Sequence, residues 1–423
     1  MSALIQDQEH SYEAAPANRM MIDKVFVAYT FCIPLMPRAT ASGVERFVVP
    51  VMLAGLLCVW FFSMSKCRRV SANFQLLGLV IGFPTIVFLT RIVLLGVMAD
   101  EGMHLVSRIL FGIGLFAFAH WCTVTTVSKE TIFRAFTFGF MATAVVTVFS
   151  GVTGVQILEE DSIKPSRFFG LSKSTGIFRS FGEFGIMGCI AWSYLLVYGR
   201  QMRSHVWVVG MLLVSLAMLI SQSRNVYLAW MIVTAFVLVS RAVRLPKIVG
   251  GAVACLIILM PVAVELSVPI LQETEIGNKL VGTGTILERN VDVRFDQFRD
   301  AYTLTTRDPS RALLGFSRQD WRDLMLETHI NVVAPHNYFL STLVFLGFVG
   351  GGVWIVGLYI MPAILVSRLL HLNDPVVVVC FVSLLGVILG LSFYEGFFSV
   401  VVMFVLAMAW SVAFSEETIA SNG

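Results

Sequence analysis

Apolar stretches bounded by charges or turn residues recur along the chain at roughly 22–37, 46–64, 74–98, 105–127, 132–150, 180–198, 205–221, 225–240, 248–264, 339–367, 375–393 and 397–415. A membrane-crossing helix needs about 20 mostly apolar residues, and inside lipid a helix satisfies every backbone polar group within itself. The pattern therefore predicts an all-α polytopic membrane protein of about twelve transmembrane helices, with residues 1–423 forming a single integral membrane domain. The first stretch precedes Ala39-Thr40-Ala41 and so invites a signal-peptide reading. A signal peptide opens on a short positive segment. Here a long leading segment carries Asp7, Glu9, Glu13 and Asp23 against Arg19 and Lys24, and an uncleaved first helix is expected.

Orientation follows from the basic residues, because Lys and Arg are retained on the cytoplasmic side of short loops. With the amino terminus inside, the cytoplasmic segments hold Arg19, Lys24, Lys66, Arg68, Arg69, Lys129, Arg134, Arg200, Arg203, Arg241, Arg244, Lys247 and Arg368, thirteen in all. The short outer turns hold three, Arg38, Arg46 and Arg224. A medium outer loop at 151–179 adds Lys164, Arg167, Lys173 and Arg179, giving seven, and the preference stands. The soluble mass then lies outside, in that loop and in a large one at 265–338.

Composition sharpens this picture. The chain is 57% hydrophobic and 13% charged, against about 25% charged for a soluble domain, which excludes an ordinary soluble enzyme. A net charge of +3 with no basic run gives no nucleic-acid footprint. No cytoplasmic loop is long enough for a nucleotide-binding domain, and no GxxxxGK[ST] run occurs. The seven cysteines (32, 58, 67, 122, 189, 255 and 380) lack the paired spacing of zinc or redox sites.

Ionisable side chains inside spans are costly and become candidates for function. Arg91 lies about eight residues, or roughly 12 Å, inside the third span. Glu183 lies in the sixth span, one turn from Arg179. Arg91–Glu183 or Arg179–Glu183 ion pairing is one reading, and a polar cavity for a charged substrate is the other. Arg224 occupies the tight outer turn Ser221-Gln222-Ser223-Arg224-Asn225 against the positive-inside pattern. Hydroxyl and amide groups at a helix start suit an anion such as phosphate, although an interfacial Arg is also simply solvated.

The large loop carries eleven acids and eight basic residues, seven of them Arg, the side chain that grips phosphate with two parallel bonds. Glu288 to Thr305 reads as an amphipathic helix with Val291, Phe295, Phe298 and Tyr302 on its apolar face and Arg294 the arginine nearest that face. Asp308-Pro309 should end it, and Leu313-Leu314-Gly315-Phe316 should turn against the membrane surface. The loop closes on Ala334-Pro335-His336-Asn337-Tyr338, just before the tenth span. His336 at that interface suits a general base, and Asn337 suits an N-cap.

His336-Asn337, nine residues, Gly347, two residues, Gly350 matches the HNx9GxxG signature, and in this the chain resembles the bacterial O-antigen ligase and O-antigen polymerase superfamily. The Ser-x-Ser-Arg turn ending at Arg224, the basic helix at Arg294, the Leu-Leu-Gly turn at 313–315 and the single dominant outer loop extend the resemblance over about residues 175–360. It implies a GT-C-type membrane glycosyltransferase, independent of metals and cofactors, in the bacterial inner membrane with its active site facing the periplasm. The donor would be a glycan on undecaprenyl diphosphate. The acceptor would be lipid A–core in the ligase branch, or another carrier-linked glycan in the branch that polymerises O-antigen or exopolysaccharide repeat units. By the family's pattern Arg224 and Arg294 hold the diphosphate and His336 activates the acceptor hydroxyl. Asn337, Arg91, Arg179 and Glu395, which sits in the last tight outer turn, are further candidates for substrate contact.

The signature favours the ligase branch, and the paired Arg-x10-Gly loops of polymerases are missing at Arg167, Arg289, Arg294 and Arg299. A lipid-linked oligosaccharide flippase or secondary carrier shares the twelve-span layout. Carriers show internal repeats, and none is visible here.

Overall fold

The computed structural model describes residues 16–35, 72–95, 98–155, 167–168, 171–172, 174, 181–221, 223–243, 299–328, 337–392 and 399–413. The described residues are mostly helical, with a two-residue antiparallel pairing inside the medium loop, β1 (Arg167–Phe168) with β2 (Leu171–Ser172). The expected spans at 46–64 and 248–264 lie outside the described residues.

The helices are α1 (Pro16–Cys32), α2 (Ala72–Leu95), α3 (Met98–Val124), α4 (Lys129–Thr153), α5 (Phe181–Tyr198), α6 (Ser204–Ile220) and α7 (Arg224–Val243). In the large loop lie α8 (Pro309–Leu314) and α9 (Arg318–Thr328). They are followed by α10 (Tyr338–Ile355), α11 (Met361–Leu369), α12 (Pro375–Ser392) and α13 (Val400–Ala413). Four described helices are long and apolar enough to cross a membrane: Gln75–Leu94, Lys129–Thr153, the continuous run Tyr338–Leu372 and Pro375–Ser392. Five shorter apolar helices, Arg108–Thr123, Gly182–Tyr198, Ser204–Ile220, Val226–Leu238 and Val400–Ala413, fall where the apolar pattern predicts spans.

Local sequence explains the helix ends. The Ser128 hydroxyl accepts from the Thr131 amide to open α4, and Gly154 closes it in the left-handed region with its amide on the Ser150 carbonyl. Asp374 accepts from the Val376 amide at the start of α12. α13 is apolar all round and is buried within the bundle from Val401 to Val412. Its Phe404 ring stacks on Phe136 of α4, with centroids 4.7 Å apart, and meets Phe118 and Phe133 edge-on.

α4 and α6 run one way and α5 and α7 the other, so the bundle has two distinct ends. At one, Lys129 Nζ reaches the Ser411 carbonyl (3.4 Å), Asp23 receives the Thr125 hydroxyl (2.5 Å) and Trp207 Nε1 donates to the Leu195 carbonyl (3.0 Å). Lys24, Lys129, Arg134, Arg203 and Arg368 belong to this end, the one predicted to be cytoplasmic. At the other end α4 and α6 finish together, with Gly151 so close to Ile220 that a Cβ on it would lie 2.5 Å from that side chain.

The large loop differs from expectation in two respects. Residues 299–306 are helical and stop before Asp308, as the Asp-Pro pair predicts. Their buried face, however, is Ala301, Leu304 and Thr305, while Tyr302 is 60% exposed. Small Ala301 admits close packing with the cluster of Phe316, Trp321, Val344 and Phe345, which a tyrosine would fill too soon. The apolar face assigned through Tyr302 is corrected accordingly; Val291, Phe295 and Phe298 lie outside the described residues. The second difference is that α8 and α9 fill what the polar sequence presents as loop. Asp308 caps α8 through the Ser310 and Arg311 amides.

Candidate active site

Four helix ends converge where the candidate residues lie. Gly185 in the first turns of α5 lets α7 approach, and a Cβ there would stand 2.6 Å from Val226. Gly390 near the end of α12 does the same for Ile186, also at 2.6 Å. The Asn337 amide nitrogen then donates to the Ser392 carbonyl at 3.0 Å, tying the start of α10 to the end of α12. Through these contacts Glu183, the first residue of α7 (Arg224) and Asn337 come to one end of the bundle. The medium loop joins them, with the Ser174 amide on the Ile220 carbonyl at 3.2 Å.

Asn337 is the N-cap of α10, as its position predicts: its side-chain Oδ1 accepts from the Leu340 amide at 3.0 Å. His336, Arg294, Arg179 and Glu395 lie outside the described residues. Glu183 is 6% exposed in the first turn of α5, where the helix dipole favours a carboxylate.

The serine turn before Arg224 is partly spent on structure. Ser221 is fully buried and its hydroxyl donates to the Met218 carbonyl at 2.6 Å. Its proton is therefore not aimed at a ligand, which corrects the expectation that it adds a donor beside Arg224. Tyr227 braces the same turn with its hydroxyl on the Leu219 carbonyl (2.6 Å).

The Leu-Leu-Gly turn and the HNx9GxxG run are one structural unit. α10 breaks at Gly347, whose φ of 69° and ψ of 172° leave the helical region, and Gly315 turns with φ of 89°. A Cβ on Gly315 would lie 2.6 Å from the Gly347 nitrogen, and one on Gly347 would lie 2.5 Å from the Gly315 nitrogen. The two backbones thus touch directly, and the Phe316 amide donates to the Val344 carbonyl at 2.9 Å. Gly350, the last residue of the signature, lets Val87 of α2 pack against α10.

Arg91 clasps this unit. It is 2% exposed, and Nη1 donates to the Phe316 carbonyl (2.5 Å) and the Phe345 carbonyl (2.6 Å). A helix break strands carbonyls that would otherwise be bonded, and a guanidinium supplies donors to them in a rigid fork. These contacts give a buried arginine at this depth two carbonyl partners. Sequence reasoning missed Arg108, buried at the start of the apolar part of α3. Its guanidinium lies 4.9 Å from the Phe88 ring centroid and that of Arg91 lies 4.6 Å from it. The available signal is positional: Arg91 and Arg108 flank the same short turn between two apolar runs.

In the loop, Arg311 meets Asp308 (3.5 Å) and Asp320 (3.6 Å). The Ser310 hydroxyl, foremost, holds the Asp308 carboxyl below its ordinary range, with the Arg311 amide adding to it. Among the described residues no three His, Cys, Asp or Glu side chains gather as metal ligands. No protein-family model matches the chain, and no curated protein matches it.

Proposed function

We propose that this chain is a twelve-span, GT-C-type membrane glycosyltransferase that moves a glycan from undecaprenyl diphosphate to a hydroxyl acceptor at the periplasmic face of the bacterial inner membrane. The ligase reaction, with lipid A–core or another surface glycan as acceptor, is the reading favoured by the His336-Asn337 signature. The observation that carries the proposal is the convergence of the Arg224 helix start, buried Glu183 and the Asn337 cap next to His336 at one end of the bundle. The locked Gly315–Gly347 contact supports it, because it joins two motifs of the superfamily that are 32 residues apart, 347 minus 315.

In this mechanism Arg224 and Arg294 bind the diphosphate. Charge gathers on that group as the anomeric bond breaks, and fixed guanidinium groups in a water-poor site stabilise it. His336 accepts the proton of the attacking hydroxyl, which is a weak nucleophile unaided. The new glycosidic bond forms as the carrier diphosphate leaves, and a single displacement inverts the anomeric centre. The donor arrives already activated, in keeping with the short loops on the basic side.

Deleting the gene and characterising the lipid-linked glycans tests the reading. Long polymer retained on the carrier is expected. Accumulated single repeat units would make the protein a polymerase instead, and glycan trapped on the inner face would make it a flippase.

A further inference from the structure

A groove of about 990 Å3 lies between α1 and α4 at the opposite end of the bundle from the candidate active site. The two helices run in the same direction here. The Thr125 hydroxyl meets Asp23, the Phe31 carbonyl lies against Gly139 and the Thr143 hydroxyl donates to the Pro34 carbonyl at 2.5 Å. Lys24, Ala28 and Phe31 follow one another down one wall, and Arg134 and Phe138 down the other, at the spacing of a single helix face. Lys24 and Arg134 are exposed at the head of the groove. Phe31 and Phe138 remain 37% and 36% exposed further along.

Asp23 is the acid in the lining, and its two oxygens are taken by the Thr125 and Thr126 hydroxyls. Among the described residues no carboxylate forms a salt bridge with Lys24 or Arg134. Two cations thus stand over an aromatic-walled apolar channel, on helices whose outer faces are apolar. A soluble anion has no use for the apolar walls, and a neutral lipid has no use for the two charges. Both features match an amphiphile with a phosphate head and an acyl tail.

We infer that this groove binds an anionic phospholipid of the leaflet next to the basic short turns. Arg134 and Lys24 take the phosphate and the acyl chain lies along Phe31 and Phe138. The site is independent of the proposed glycan transfer.

The test is native mass spectrometry of the full-length protein, titrated separately with phosphatidylglycerol, phosphatidylcholine and glycerol 3-phosphate. Phosphatidylglycerol should be retained with roughly tenfold or greater preference over phosphatidylcholine, and glycerol 3-phosphate should not be retained. Lys24→Gln with Arg134→Gln should abolish the preference while leaving the protein monodisperse, and Arg134→Lys should keep most of it. Equal retention of both lipids by the unmodified protein would overturn the proposal, as would an unchanged preference in the double variant. Retention of glycerol 3-phosphate would reassign the groove to a soluble anion. Loss of a dimer rather than of lipid on double substitution would reassign it to a second copy of the chain.

Discussion

Gly315 and Gly347 meet through their backbones, so each position penalises a side chain twice, through a positive φ and through a Cβ driven into main-chain atoms. Strain of this kind costs about 1–3 kcal/mol before the packing clash is added. Gly347→Ala should therefore lower the thermal unfolding midpoint in detergent clearly. Gly352→Ala, in the same helix with nothing near the added methyl, should leave it unchanged or raise it. Equal effects would mean that the break in α10 is not fixed by this contact. Arg91 offers a second test at this scale. Arg91→Met strands two carbonyls that now accept from a cation, at about 1.5–3 kcal/mol for each lost charged bond, and Arg91→Lys should fall between. A stable Arg91→Met protein with weakened donor binding would instead return Arg91 to the substrate-contact role suggested by its depth.

At the scale of elements, Asn337 does two things that can be separated. Asn337→Asp keeps an oxygen for the Leu340 amide but loses the donor to Ser392, whereas Asn337→Ala loses both and should cost about 1 kcal/mol more as a lost cap. Amide exchange should rise at the start of α10 only in the alanine variant, and at the end of α12 in both. The short helix α8 carries a pH dependence of known sign. Its Asp308 cap has a folded pKa below the ordinary 3.8, so the cap's contribution is complete above that value and is lost as pH falls through the lowered one. Protection of the Ser310 and Arg311 amides should collapse only in that acid range, and Asp308→Asn should make it insensitive to pH.

These elements also show what the chain discloses in advance. Apolar runs and the Asp-Pro and Asn337 signals mark helix positions and ends, because hydropathy and capping are local properties. α8 and α9 are polar and short, and they fold because Phe316 and Trp321 find Val344 and Phe345, a tertiary cause without a local trace. Tyr302 misled for the same reason: its ring suggests burial, but the space beside α10 fits Ala301. For the candidate site, the HNx9GxxG spacing points to the start of α10, while the tie of Asn337 to Ser392 and the clasp by Arg91 are visible only once the helices are assembled.

At the scale of the whole molecule, the bundle separates two groups of residues. One end gathers the Arg224 helix start, Glu183, Asn337 and the Gly315–Gly347 lock. The other carries the basic residues of the short turns, with a groove that suits an anionic lipid. A donor with a lipid tail and a diphosphate head fits such a division, with its tail in the membrane and its head at the first end. The most direct measurement is donor binding and single-turnover glycan transfer by purified protein, unmodified and as His336→Ala. His336→Ala should bind the undecaprenyl-diphosphate glycan normally and transfer almost none of it. Transfer by His336→Ala at the rate of the unmodified protein would remove His336 from the role of base and with it the proposed mechanism.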